Sequence, residues 1–189
     1  MGHSVQLIIG KGSGVEMLLR TWPMARAVEL RGRWLAIPLA DDLLGEMEGR
    51  AVGKEVGGLE RALADATASG GDLAYIETEY FGGTGGQSAM AFANGRQVMP
   101  LERSRGAGAI NAALRRIGVL REAGKDEFDT IGLGERRSIE DYGPDGPRRL
   151  EVRREDVANT GPKSELPMWV VSVIVVLAIC VGVFVAMAW

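Results

Sequence analysis

The segment Leu73-Ala-Tyr-Ile-Glu-Thr-Glu-Tyr-Phe81 decides the fold, because its side chains divide into two faces as those of a β-strand do. This division places Glu77 and Glu79 on one face, with α-carbons about 7 Å apart after two strand rises. A pair of carboxylates can serve acid/base chemistry, bind a divalent metal or meet a basic partner. No other residues with metal-ligand spacing accompany the pair, so we predict an exposed acidic face and no metal site.

Downstream of this strand, the chain predicts an antiparallel meander. The stretch Gly82-Gly83-Thr84-Gly85-Gly86-Gln87 has four glycines in six residues, which favours a loop that either covers a ligand beside Glu79 or simply joins two strands. Residues 88–92 are predicted as the next strand. The Asn94-Gly95 pair is typical of a tight hairpin turn, so we expect residues 97–101 to pair back on that strand.

The other segments before residue 143 add a strand, a second hairpin and several helices. Residues 5–9 are predicted as the first strand, and residues 26–30 and 34–39 as a hairpin. Helical spacing of apolar residues, together with capping residues, predicts helices at 15–22, 41–47, 58–68 and 107–117. We therefore predict an α/β domain of the α+β type, with a mixed, largely antiparallel sheet and three or four helices.

A glycine-rich turn, Gly10-Lys11-Gly12-Ser13-Gly14, precedes the first predicted helix. Such turns bring backbone amides close to a phosphate, so a nucleotide or sugar phosphate at Lys11 is one hypothesis. The turn matches neither of the usual glycine patterns for phosphate binding. Ser13 and Glu16 also have the spacing of a capping box, which explains the segment without a ligand.

Composition excludes several chemistries. The single cysteine, Cys180, lies in the C-terminal apolar run, and the single histidine, His3, lies near an N-terminus that we expect to fray. These positions argue against a Ser/His/Asp triad, a Cys/His nucleophile pair, a zinc site and a disulfide. The net charge of -3 gives no electrostatic footprint for nucleic acid. We therefore expect no cofactor and favour a binding protein over an enzyme.

The C-terminal run, residues 168–189, contains 22 residues without a charge. At about 1.5 Å per residue it forms about 33 Å of helix, enough to cross a hydrocarbon core of about 30 Å. Trp169 and Trp189 lie at its two ends, where aromatic rings prefer the membrane interface. We predict a single transmembrane helix at 167–189, preceded by a soluble domain at 1–143 and a charged Pro/Gly linker at 144–166.

The charges beside this helix predict its orientation. Five basic residues lie in the flank before it: Arg148, Arg149, Arg153, Arg154 and Lys163. The positive-inside rule therefore predicts a single-pass, tail-anchored protein of the inner membrane with its N-terminal domain in the cytoplasm. No signal peptide is expected at the N-terminus. Ala178, Gly182 and Ala186 recur at the spacing that lets two helices approach closely, which leaves homo-oligomerisation through the helix as an open alternative.

Three motifs carry a resemblance to a known group of proteins. They are Glu79-Tyr-Phe-Gly-Gly-Thr-Gly-Gly-Gln87, Ile110-Asn-Ala-Ala-Leu-Arg-Arg-Ile-Gly-Val119 and Asp126-Glu-Phe-Asp-Thr-Ile-Gly-Leu-Gly134. Over about residues 73–142, the chain resembles a family of small bacterial proteins that includes immunity partners of secreted toxins. The resemblance implies a fold and a protein partner, and it supplies no catalytic residues. Members of that family end near Tyr142, so the apolar C-terminus is a departure that favours a partner or substrate at the inner membrane face.

We therefore expect a membrane-tethered cytoplasmic binding protein of the immunity type, which neutralises a toxin at or near the membrane. Acidic surfaces complement basic toxin clefts and speed association. The expected partner-binding residues are Glu77, Glu79, Tyr80, Phe81, Gly82, Gly83, Gln87, Asp126, Glu127 and Asp129. Two alternatives stay open: a ligand-binding or carboxylate-based enzyme domain using Glu77 or Glu79, and a structural subunit of a membrane complex assembled through the apolar helix.

Overall fold

The fold is built on one antiparallel sheet of six strands. A computed structural model describes residues 3–49, 57–81, 84–106 and 108–143, all within the first of the two units into which the chain divides, Met1–Glu151. Its strands are β1 (His3–Gly10), β2 (Val28–Glu29), β3 (Leu35–Pro38), β4 (Leu73–Phe81), β5 (Thr84–Ala93) and β6 (Arg96–Ser104). Their order in the sheet is β2-β3-β1-β4-β5-β6, and all five pairings are antiparallel. The prediction of an α+β domain with a largely antiparallel sheet is confirmed, but the described strands contain no parallel pairing, so the sheet is not mixed as expected.

Helices cover both faces of the sheet. In the described ranges they are α1 (Ser13–Thr21), α2 (Asp41–Gly49), α3 (Gly58–Thr67), α4 (Gly108–Arg116) and α5 (Glu127–Thr130). Three short 3-10 segments occur at Arg31–Arg33, Leu133–Glu135 and Ile139–Tyr142. The described part therefore contains five α-helices where three or four were expected, and the one with no predicted counterpart is the single turn α5.

The core is divided by the sheet into two clusters of apolar side chains. Leu73 and Tyr75 belong to the cluster beneath α1, α2 and α3. Ala74 and Ile76 belong to the cluster beneath α4 and the segments that follow it. This division confirms the predicted two faces of β4, because alternate residues of a strand project to opposite sides.

The glycine-rich stretch was expected to be a loop, and that prediction is wrong for Thr84–Gln87. These residues are the first part of β5 and pair with the end of β4, with Gly85 opposite Tyr80. A β-carbon at Gly85 would lie 1.9 Å from the carbonyl oxygen of Glu79, so a glycine is required for the two strands to approach. Strand pairing thus overrides the low strand propensity of glycine, and the part of this stretch that the structure describes is not a lid.

The capping box predicted at the start of α1 is also wrong. The residue preceding the helix is Gly12, and no side chain caps the first turn. The hydroxyl of Ser13 instead donates to the carbonyl oxygen of Gly70, at 2.7 Å. The amino group of Lys11 lies 4.1 Å from the centre of the Trp34 ring, a cation–π contact, and this directs its charge to the aromatic ring.

The N-terminal strand is ordered from His3, where fraying was expected. His3 pairs with Tyr80 across β1 and β4, and its Nδ1 lies 2.5 Å from the hydroxyl of Thr78. Burial lowers the pKa of the His3 imidazole. The backbone N–H of Ser4 donates to the carbonyl of Arg137, which joins the end of the described chain to its beginning.

The C-terminal predictions fall on residues outside the described ranges. These are the linker at 144–166, the membrane helix at 167–189 and the small residues Ala178, Gly182 and Ala186. Among the residues that the structure does describe, no helix has the length and apolar character needed to cross a bilayer.

Candidate functional site

On one face of the sheet, the residues of three neighbouring strands change from apolar to polar at aligned positions. Ile8, Tyr75 and Met90 lie opposite one another on β1, β4 and β5, and all three belong to the core beneath α1–α3. Two residues further towards the open end of the sheet, the next row is polar: Gln6, Glu77, Ser88 and Arg103. Since directly opposed residues project to the same face, the helices cover the apolar rows and this polar row lies beyond them.

The polar rows form a groove of about 530 Å³, which we call the open groove. Glu77 and Glu79 of β4 form one side, and Arg103 with the following Arg105 forms the other. The base between them comes from β5, where the residues opposite Glu77 and Glu79 are Ser88 and Gly86. Because these residues are small, an acidic side and a basic side face each other across an open base. The complete lining is Glu77, Glu79, Gly86, Gln87, Ser88, Arg103, Ser104 and Arg105.

The acidic side of the groove contains one anchored and one exposed carboxylate. The side-chain amide of Gln6 donates to Oε1 of Glu77 at 3.0 Å, which fixes that carboxylate over β4. Burial and then the charge of Glu77 raise the pKa of the neighbouring Tyr75, so its phenol stays protonated. Glu79 is exposed. Among the described residues, no group of three or more His, Cys, Asp or Glu side chains is placed to hold a metal ion.

The basic side is positioned by bonds on the other face of the sheet. The hydroxyl of Tyr80 donates to the carbonyl of Arg105 at 3.0 Å. The hydroxyl of Ser104 accepts from the backbone N–H of Ala109 at 3.2 Å, at the start of α4. These bonds hold the chain where β6 leads into α4, so Arg103 and Arg105 stay beside the groove. Neither arginine forms an ion pair within the described part of the chain.

Phe81 lies at the end of β4, on the same face as Glu77 and Glu79. It is 84% exposed. The adjoining Gly82 and Gly83 lie outside the described residues, and β5 resumes with Thr84 opposite Phe81. Phe81 is not part of the groove lining, but it places an exposed aromatic ring two residues beyond Glu79 on the same strand face.

The acids of the third motif have a different environment from the acids of β4. Both oxygens of Glu127 accept from Nη1 of Arg115 at 3.0 Å, and Glu127 is 3% exposed. Asp126 accepts from the side-chain amide of Asn111 at 2.9 Å and from the backbone N–H of Asp129 at 2.8 Å. Asn111 in turn accepts from the backbone N–H of Phe128. The second and third motifs therefore bind each other inside the domain.

The acids among the predicted partner-binding residues lie on two different faces of the sheet. Glu77, Glu79 and Phe81 lie on the face covered by α1–α3, whereas Asp126, Glu127 and Asp129 belong to the segment packed on α4, at the other face. Asp129 is exposed there. Gln87 is buried on that other face as well, and its Oε1 has no hydrogen-bond partner among the described residues.

Sequence reasoning missed the basic side of the groove and its link to the acidic side. Arg103 and Arg105 carry no motif and lie at the end of an edge strand. The signal that would have found them is strand register, because Arg103, Ser88 and Glu77 align only through the two pairings of β5.

Compared with protein-family models, with curated proteins and with solved structures, the chain matches none. Its function is therefore argued from the geometry of the open groove.

Proposed function

We propose that the chain is a membrane-tethered binding protein of the immunity type, which neutralises a toxic protein at or near the membrane through the open groove. The observation that carries this proposal is the uncovered polar end of the sheet, together with the exposed ring of Phe81 two residues beyond Glu79 on the same strand. Aromatic anchors beside arginines and polar groups are typical of protein–protein interfaces. A mixed-charge groove also gives specificity and orientation to a partner.

The second and third sequence motifs use polar side chains to bind each other within the domain, and this supports the choice of the open groove as the binding surface. Asn111 and Arg115 are engaged by Asp126 and Glu127, so their polar groups are needed for the domain itself. Of the first motif, Glu79 and Phe81 are exposed. The first motif is therefore the one of the three whose side chains are accessible to a partner on the open groove.

The tether is the second part of the proposal. Residues 168–189 form an uncharged run of sufficient length for one membrane crossing, and the basic flank before it favours a cytoplasmic location for the groove. A binding surface held at the inner membrane face meets partners at that face at a raised local concentration. This arrangement suits a partner that acts on or passes through the membrane.

Photo-crosslinking in the native host tests the proposal directly. A photoreactive phenylalanine analogue replaces Phe81 in the full-length protein, and a matched variant carries it at Leu120, which is 86% exposed on the α4 side. We expect irradiation to join one protein to position 81 and not to position 120. That protein should be toxic when it is expressed without this chain.

Two outcomes would refute the proposal. If the same proteins were crosslinked in equal amounts at positions 81 and 120, the groove would not be a specific binding surface for a partner. The absence of any protein adduct at position 81, in membranes where the chain is present at its normal level, would mean that no protein occupies it.

A further inference from the structure

The open groove has dimensions that fit an extended polypeptide. Its acidic side comes from β4, and its basic side comes from Arg103 at the end of β6 and from Arg105, which follows that strand; the single strand β5 separates β4 from β6. Two strand spacings place these sides about 10 Å apart. Along β4, Glu77 and Glu79 are two residues apart, which is about 7 Å. An extended chain repeats its side-chain direction at the same interval of two residues.

Because the spacing of the charges in the groove equals the two-residue repeat of an extended chain, the groove determines which charges a bound segment must carry. When an extended segment lies along the groove with its side chains directed to the two sides, successive residues point alternately to β4 and to β6. Residues facing β4 then meet Glu77 and Glu79. Residues facing β6 meet Arg103 and Arg105.

We propose that the open groove binds an extended segment of the partner protein in which basic and acidic residues alternate. This inference rests on the proposed binding function and deepens it, because it gives the partner's contact segment a charge pattern. The basic residues of the segment pair with Glu77 and Glu79, and its acidic residues pair with Arg103 and Arg105. The small residues Gly86 and Ser88 leave room for its backbone over β5.

The alternating charge pattern distinguishes this segment from one that carries only basic residues. A uniformly basic segment would satisfy Glu79 but would place its cations against Arg103, and like charges in contact oppose binding. A uniformly acidic segment would have the opposite conflict. Neutral segments would leave both sides without ion pairs.

A displayed library of random short peptides, selected on the full-length protein in detergent, tests the charge pattern. We expect selected peptides to be enriched in opposite charges at odd spacing, that is at i and i+1 or i and i+3, over opposite charges at even spacing. The variant Glu77→Gln/Glu79→Gln should remove the selection for basic residues. The variant Arg103→Gln/Arg105→Gln should remove the selection for acidic residues, and each variant should weaken a selected peptide at least about fivefold.

Glu102→Gln/Arg96→Gln is the matched control. Both residues lie on β6, opposite Ala89 and Ala93, and so project to the other face of the sheet. The control should select the same pattern as the unaltered protein.

The possible results separate this inference from the function on which it rests. Selected peptides with one sign of charge, or with opposite charges at even spacing, would overturn the alternating pattern. A selection that yields no groove-dependent peptide would overturn the extended segment. In both cases a specific adduct at position 81 would still uphold a protein-binding function, whereas failure of the crosslinking experiment would refute the function itself.

Discussion

At the scale of single residues, the bond between Arg115 and Glu127 shows how burial changes the role of a charge. Glu127 is almost inaccessible, while the side chain of Arg115 is 57% exposed. A buried carboxylate without its cation carries an uncompensated desolvation cost. An arginine that has lost its carboxylate here can be solvated by water. The two partners are therefore unequal in their importance for stability.

Replacing Arg115 should destabilise the domain more than replacing its exposed neighbour Arg116. We expect Arg115→Met to lower the free energy of unfolding by about 2–3 kcal/mol, below the full cost of breaking a buried pair because the arginine is partly hydrated. Arg116→Met is the control and should change it by less than about 0.5 kcal/mol. Urea unfolding of the full-length protein in mild detergent, followed by tryptophan fluorescence, measures both. Equal values for the two variants would contradict the structural role of the Arg115–Glu127 pair.

Only part of this residue-scale structure could be predicted from the sequence. The shared face of Glu77 and Glu79 follows from the period of a strand. Glu127 was predicted to be a surface acid, since nothing in its local sequence indicates that α4 supplies a cation from twelve residues earlier. The capping role of Asp126, which accepts from the N–H of Asp129, is a local feature that its position before a short helix indicates.

At the scale of elements, the turn at Asn94-Gly95 was predicted and the register that follows it was not. Ala93 pairs with Arg96 and Phe92 with Gln97, so an uninterrupted ladder would bring Leu101 opposite Ser88. Register shifts near Ala91 place Arg103 there instead. A bulge depends on long-range packing and edge position, so the sequence alone predicts β6 but not which of its residues faces the groove.

Alanine substitutions at the two glycines of β5 should have opposite effects on the stability of the domain. Gly85→Ala puts a β-carbon 1.9 Å from the Glu79 carbonyl oxygen, whereas the nearest atom to a β-carbon at Gly86 is 3.6 Å away. We expect Gly85→Ala to lower the free energy of unfolding by about 2 kcal/mol or more, because backbone must move. Gly86→Ala should leave it unchanged or raise it by up to about 1 kcal/mol, because alanine restricts the unfolded chain.

Thermal unfolding of the two single variants, side by side, checks this difference. Similar melting temperatures would mean that the hairpin does not have the close approach that we describe at Gly85. Because Gly86 lies at the base of the open groove, Gly86→Ala should also narrow the space available to an occupant.

At the scale of the whole molecule, the sheet separates the two groups of acids among the predicted partner-binding residues. α1–α3 cover one face and α4 covers the other, so the acids of β4 and those near α5 have different neighbours. Sequence periodicity predicted most of the strands and helices. It could not predict the strand order β2-β3-β1-β4-β5-β6, because that order depends on pairings between residues far apart in the chain.

The proposed tether predicts how the full-length protein behaves in membranes. We expect the full chain to stay in the membrane pellet after an alkaline carbonate wash, because one uncharged run of this length anchors a protein integrally. A control truncated after residue 166 should be released. Release of the full chain under the same conditions would contradict an integral anchor.

The central position of β1 has a consequence for how the chain folds. β1 is synthesised before β4, yet it pairs with β4 through contacts such as His3 with Tyr80, and Ser4 also bridges to Ser138. Closing such long loops before their contacts form is entropically costly and slows folding. While the chain is being synthesised, β3 can pair with one edge of β1, but the other edge has no strand partner until β4 has been made. We expect this open edge of β1 to need protection by a chaperone until β4 has been made.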